Sequence, residues 1–168
     1  SRSRGIGRYT KSFVKSFIRN SPDYEYILFA NASLIDCRDD FLEEFDEPSL
    51  NLSYVNWYAP PPFYFEKSTN DSKYQISLAL RTYTLCNLNP DLVIITSFFE
   101  GYGSNCIIDF DRSFNLPPII SIFYDLIPLL NEDLYLKPNP HFSEFYFSRI
   151  RAINKLDGLI CISQSAAL

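Results

Sequence analysis

The sequence predicts an α/β fold, a mainly parallel sheet with helices on both faces. Three runs, 91–96, 119–124 and 158–162, are apolar and rich in β-branched residues, as strands buried on both faces are. One helical pattern, 73–86, precedes the first run, and another, 141–156, falls between the second and third. Strands that alternate with helices pair in parallel, because each crossover returns the chain to the same end of the sheet.

The first helix is expected over 8–19. Ile6, Thr10, Phe13, Val14 and Phe17 recur at helical spacing, and Arg8, Lys11, Lys15 and Arg19 form a stripe on the opposite side. The apolar arc should pack on the sheet and leave the cationic stripe in solvent. Asn20-Ser21-Pro22 ends this helix. A short strand follows over 24–29, then an acidic helix over 38–45 and a strand over 50–57. Ala59-Pro60-Pro61-Pro62 is a loop, since proline continues neither a ladder nor a helix.

A helix over 73–86 is closed by Asn87, Asn89 and Pro90, and the run 91–96 follows it. Pro117-Pro118 introduces 119–124. A loop rich in proline and asparagine is expected over 125–140. The next helix, 141–156, carries Phe142, Phe145, Tyr146, Ile150 and Ile153 along one face and leads into 158–162. Ser163-Gln164-Ser165 then caps a helix or joins a further domain.

At 168 residues the chain suits one well-buried domain, 1–168. Apolar (46%) and charged (21%) contents are those of a soluble globular protein. Four cysteines, Cys37, Cys86, Cys106 and Cys161, form no CxxC pair, which favours reduced thiols in the cytosol over a disulfide scaffold. With His141 as the one histidine, no metal site is expected. No apolar run reaches the roughly 20 residues of a membrane span. The pattern also leads us to expect a strand before the opening glycines and a helix or linker beyond 165.

Charge is unevenly placed. Six of the fifteen basic residues and none of the twenty acidic ones fall in the first twenty positions, against a net charge of −5. That asymmetry points to an anionic partner for the first helix. An acidic remainder and the lack of any nucleic-acid motif argue against DNA or RNA and leave an anionic membrane surface.

Ligands of open parallel sheets bind at the carboxyl ends of the strands. Gly5-Ile6-Gly7-Arg8 opens the first helix, where free N–H groups and the helix dipole suit phosphate, although a plain tight turn reads the same way. Glu100-Gly101, after 91–96, suits sugar hydroxyls or a helix cap. Tyr124-Asp125, leaving 119–124, offers polar contacts to a ligand or builds a turn. A nicotinamide site would need a third glycine where Thr10 stands, and a glycosidase would need a marked carboxylate pair. A non-catalytic carbohydrate-binding or regulatory α/β domain remains an alternative.

Four segments in order carry a resemblance. Ser3-Arg4-Gly5-Ile6-Gly7-Arg8-Tyr9-Thr10 resembles the opening loop of the family-four, group-1 retaining glycosyltransferases. Ser97-Phe98-Phe99-Glu100-Gly101 resembles their S-L-F-E-G turn, and Phe123-Tyr124-Asp125-Leu126-Ile127-Pro128-Leu129 their (H/Y)-D-L-I-P-L turn. The run from Leu156 to Ser165 resembles the strand that closes their N-terminal domain. The resemblance implies the N-terminal, acceptor-side half of a two-domain GT-B fold, Rossmann-like and lacking its first strand and its C-terminal donor domain. Gly5, Ile6, Gly7 and Arg8 would then face the donor diphosphate, and Tyr9, Glu100, Gly101, Tyr124 and Asp125 the acceptor or sugar. Many members have a histidine where this chain has Tyr124, a poor base near neutral pH.

The expected substrates are a nucleotide sugar and a growing surface glycan, lipopolysaccharide or lipid-linked acceptor. No cofactor or metal is expected. Such an enzyme would be cytoplasmic, held at the inner membrane face through Arg8, Lys11, Lys15 and Arg19, and inactive without its donor domain. No catalytic residue is assigned.

Overall fold

In a computed structural model, residues 5–32, 45, 51–58, 72–102 and 106–167 are described. The acidic helix expected over 38–45 and the proline loop at 59–62 therefore lie outside the described residues, except for Phe45, which is buried. The chain divides into two compact units, Ser1–Ala59 and Pro60–Leu168. In both the fold is α/β, and among the described residues the three strand pairings are parallel.

The first unit holds helix α1 (Gly5–Asn20) and strands β1 (Tyr26–Asn31) and β2 (Leu52–Trp57). β1 and β2 pair from Tyr26↔Leu52 to Asn31↔Trp57. The helix ends where the Asn20 side-chain amide donates to the Ser16 carbonyl at 2.7 Å, and Tyr26 Oη donates to the Ser21 carbonyl at 2.6 Å.

The orientation of α1 corrects the sequence reading. Its buried residue is Ile18, with Val14, Lys11 and Lys15 half-buried beside it. Ile6, Tyr9 and Phe17 of the aromatic-rich arc are exposed, as are Arg8 and Arg19. On the helical wheel Ile18 falls between the apolar arc and the cationic stripe, so packing is centred on their boundary and long Lys stems are partly covered. Phe17 is not idle, since its ring meets Tyr26 edge-on at 6.0 Å.

The second unit opens with helix α2 (Ser72–Leu88) and continues with strands β3 (Val93–Ile95) and β4 (Ile119–Phe123). Helices α3 (Ile127–Leu130), α4 (Glu132–Tyr135) and α5 (Pro140–Ala152) follow, then a 3₁₀ turn, Ile153–Lys155. Strand β5 (Gly158–Cys161) and helix α6 (Gln164–Ala167) complete it. The sheet order is β3-β4-β5, with Val93↔Ile119 and Ile120↔Gly158 in register. Ile95, Phe98, Ile108, Phe110 and Ile119 form the core.

Two features depart from expectation, and a third concerns a helix face for which the sequence reading makes no assignment. The 125–140 stretch is helical in two short pieces. Pro128 sits in the first turn of α3, where its missing N–H is no loss, and Asn139 caps α5 by accepting from the Phe142 amide at 3.1 Å. Proline and asparagine here start helices. Next, β5 is not buried on both faces: it pairs with β4 alone among the described strands, and Leu159 is 40% exposed. Val93 and Ile120 are half-buried. Finally, α2 packs inside out. Ser77, Arg81 and Thr82 are buried with Leu85, while Ile76, Leu80 and Tyr83 are exposed. The end of α2 agrees with the sequence, for Asn89 adopts φ 46° and its amide donates to the Leu85 carbonyl at 3.1 Å.

Candidate functional site

The parallel ladder places the exits of β3 and β4 at one edge of the second unit. After β3 the chain passes through Ser97-Phe98-Phe99-Glu100-Gly101-Tyr102. Phe98 is in the core, and Phe99 stacks on Tyr146 at 5.1 Å, so two aromatic anchors pin the turn and leave Glu100 exposed above it. Ser97 Oγ donates to Glu100 Oε1 at 3.2 Å. Gly101 has φ 109°, a conformation that side chains resist, and a Cβ there would lie 2.8 Å from the Cys106 carbonyl oxygen.

After β4, Tyr124 Oη donates to the Thr96 carbonyl at 2.9 Å, and Asp125 Oδ1 accepts from the Ile127 amide at 3.0 Å. The Asp125 contact is the turn-building role, and it seats the first turn of α3. Glu100, Gly101, Tyr124 and Asp125 are thus brought to one edge of one sheet. After β5, Ser163 Oγ accepts from the Ala166 amide at 3.3 Å, so that serine caps α6. Gly103 and the Ser3-Arg4 pair lie outside the described residues.

In the first unit Gly5, Ile6, Gly7, Arg8 and Tyr9 form the opening turns of α1. Both glycines lie within the helix, where the sequence reading places a turn ahead of it, and neither has positive φ. A Cβ on Gly5 would meet nothing within 4 Å. Glycine in a helix costs roughly 0.5–1 kcal/mol relative to alanine, and no contact within the described structure accounts for one at position 5.

Under the Glu100 turn lies a polar cluster that sequence reasoning missed. Arg149 Nη1 donates to Asp109 Oδ1 at 2.7 Å, Arg81 Nη1 donates to the Asp109 carbonyl at 2.7 Å, and Tyr74 Oη donates to Asp109 Oδ2. Burial draws the Arg81 guanidinium down to about 10, which still leaves it charged at neutral pH. Burial first, and then Asp109, lifts the Tyr74 phenol well above its ordinary value. Cys106 is pushed up to about 11 by burial and next by the Glu100 charge, so it stays a thiol. The signal was present in α5: Arg149 follows Phe145 by four residues and interrupts an otherwise aromatic face.

Among the described residues no group of three or more His, Cys, Asp or Glu is placed to hold a metal ion, and no helix is long and apolar enough to cross a membrane.

The chain is an α/β protein whose polar turns lie at the carboxyl edge of a parallel sheet, where open α/β sheets bind their ligands. Its relatives narrow that class. The chain is similar to Escherichia coli proteins named serotype-specific mannosyltransferase WbdA. One is 30% identical over 169 residues, 99% of this chain and 20% of its own length. A second is 34% identical over 155 residues, 91% of this chain and 19% of its own. The chain thus spans about a fifth of the length of these relatives, which are glycosyltransferases by name. No family model and no solved structure matches it.

Proposed function

We propose that the chain is the acceptor-side, Rossmann-like portion of a retaining mannosyltransferase of the GT-B type. The observation that carries the reading is the 30% identity to a mannosyltransferase along 99% of this chain. The reaction joins the anomeric carbon of a nucleotide-activated mannose to a hydroxyl of a growing surface glycan or lipid-linked acceptor. The bond from that carbon to the diphosphate breaks, and nucleoside diphosphate and a proton leave.

Retaining transfer asks the protein mainly to position two substrates and to stabilise the departing diphosphate. Gly5, Ile6, Gly7 and Arg8 serve the diphosphate: the amides of the first turn of α1 have no carbonyl within the helix to bond, and the bare Gly5 lets phosphate oxygens approach. Tyr9, Glu100, Gly101, Tyr124 and Asp125 serve the acceptor. Glu100 accepts sugar hydroxyls from an exposed turn, and Tyr124 holds that turn against its neighbour. Neither a metal nor a cofactor takes part. The main donor contacts belong to a partner domain, so this chain alone turns over no donor. The enzyme works in the cytoplasm, peripheral to the inner membrane face.

The test is saturation-transfer NMR of the chain with a linear mannotriose, together with an assay of nucleoside-diphosphate mannose turnover. We expect mannotriose contacts that Glu100→Gln and Asp125→Asn weaken, and no turnover. Mannotriose that gives no transfer, or that binds both variants like the native chain, would refute the acceptor site. Low-micromolar donor binding by this chain would refute the division of labour.

A further inference from the structure

Among the described residues two buried arginines meet at Asp109. Arg81 is 6% exposed and Arg149 4%, and both bond to Asp109, one at its carbonyl and one at its side chain. A buried ion pair is often matched by apolar side chains of similar volume, and Arg149 Nε is buried with no acceptor among the described residues. Such a donor left unsatisfied calls for another account.

What the cluster touches supplies one. The place a Cβ on Gly101 would occupy lies 3.5 Å from Arg149 Nη2 and 3.8 Å from the Phe145 ring. The Arg149 guanidinium in turn lies over that same ring at 5.1 Å. Gly101 therefore rests on a guanidinium–aromatic stack. Its neighbour Tyr102 packs on Phe142 and Phe145 at 5.2 and 5.4 Å. The seat itself is braced from α2 through Arg81 and Tyr74. Glu100 stands on the residue beside this seat, near enough that its charge acts on the Cys106 thiol along with both arginines.

We propose that Arg149, held by Asp109, is a positioning residue that seats Gly101 and so presents the Glu100 carboxylate at the carboxyl edge of the sheet. The proposal deepens the acceptor-site reading and rests on it for what Glu100 binds. Arg149 itself reaches no substrate. Its planar fork must meet Asp109 while its face covers Phe145, which lysine cannot do at once.

The test joins hydrogen–deuterium exchange to sugar binding in the whole chain. In Arg149→Met, peptides over 97–102 should exchange about tenfold faster while those over 158–162 keep their native rates. Arg149→Lys should restore only part of the protection. Mannotriose affinity should fall about tenfold in Arg149→Met, with no further loss on adding it to Glu100→Gln, as coupled residues require. Should Arg149→Met not fold, Asp109→Asn, close in shape, carries the same comparisons. Native exchange over 97–102, or losses from Arg149 and Glu100 variants that simply multiply, would overturn the proposal. If Glu100→Gln binds mannotriose normally while Arg149→Met still loosens 97–102, the hold on the turn stands and the acceptor-site reading falls.

Discussion

Tyr124 Oη donates to the Thr96 carbonyl at 2.9 Å, a bond that ties the exit of β4 to the exit of β3. The phenol reaches sideways across the sheet edge and fixes the spacing between the turn that bears Glu100 and the turn that bears Asp125. Tyr124 thus acts as a brace between two strand exits. Tyr124→Phe should lower stability by about 1 kcal/mol, the net worth of one hydrogen bond, as read by urea denaturation. Mannotriose binding by the same variant should weaken. With no imidazole at this position, native affinity should be flat across about pH 6–7, whereas Tyr124→His should introduce a titration there. Equal stability of Tyr124→Phe would show that the bond does not brace the edge.

The two glycines named by the sequence should respond to alanine with opposite signs. At Gly101, positive φ and the 2.8 Å approach of the Cys106 carbonyl act together, so Gly101→Ala should cost about 2 kcal/mol or more in thermal or chemical unfolding. At Gly5 the added methyl meets nothing and φ is not positive, so Gly5→Ala should stabilise the chain by about 0.5 kcal/mol. If a diphosphate approaches that turn, donor binding in an enzyme carrying Gly5→Ala should drop although its fold is firmer. Two destabilised variants would refute the distinction.

The strands were legible because β-branched runs such as Val93-Ile94-Ile95 and Ile119-Ile120-Ser121-Ile122 satisfy any strand template. The parallel pairing of β4 with β5 followed from the helix expected between them, whereas β3 and β4 pair in parallel with no described helix between them. Faces were harder. Ile18 lies at the border of two arcs of α1, and a count of apolar spacing cannot tell which side of a border packs. On α2 the buried side is the polar one, because Arg81 and Thr82 meet main-chain groups of Asp109 and Asp111. Of the candidate site, Glu100, Gly101, Tyr124 and Asp125 were found from strand ends. Arg149 and Asp109 were not, because 40 residues separate them and only the fold joins them.

Asp157 should make stability depend on pH at the opposite edge of the sheet. Its Oδ2 accepts from the Ile119 amide at 2.7 Å and from Arg112 Nη2 at 2.6 Å. The Ile119 amide first, and then Arg112, hold this carboxyl below the usual carboxylate range. A depressed folded value stabilises the fold above the unfolded value of about 4 and loses that contribution as pH falls through the folded value. The native chain should therefore exceed Asp157→Asn in melting temperature near neutral pH, and the gap should close below about pH 4. A gap that stays constant with pH would show that the carboxylate charge is not involved.

The membrane prediction changes with the way α1 packs. Exposure of Arg8 and Arg19 leaves part of the cationic stripe in solvent, while Lys11 and Lys15 are half-covered. Exposure of Ile6, Tyr9 and Phe17 adds an apolar face, on which Tyr9, Phe13 and Phe17 stack in sequence at 6.4 and 5.7 Å. A solvated helix face would not need this ladder. Each basic residue near an anionic bilayer contributes about 1 kcal/mol, so two exposed arginines and two partly covered lysines give a weak, reversible hold. Aromatic side chains at the headgroup boundary add a part that salt does not screen. Co-sedimentation with phosphatidylserine-containing vesicles across a salt series separates the two. Binding should weaken as salt rises and level off above zero. Arg8→Glu with Arg19→Glu should remove the salt-sensitive part, and Phe17→Ser the plateau. The proposal falls if neutral vesicles bind the chain equally well, or if anionic ones at low salt do not bind it at all.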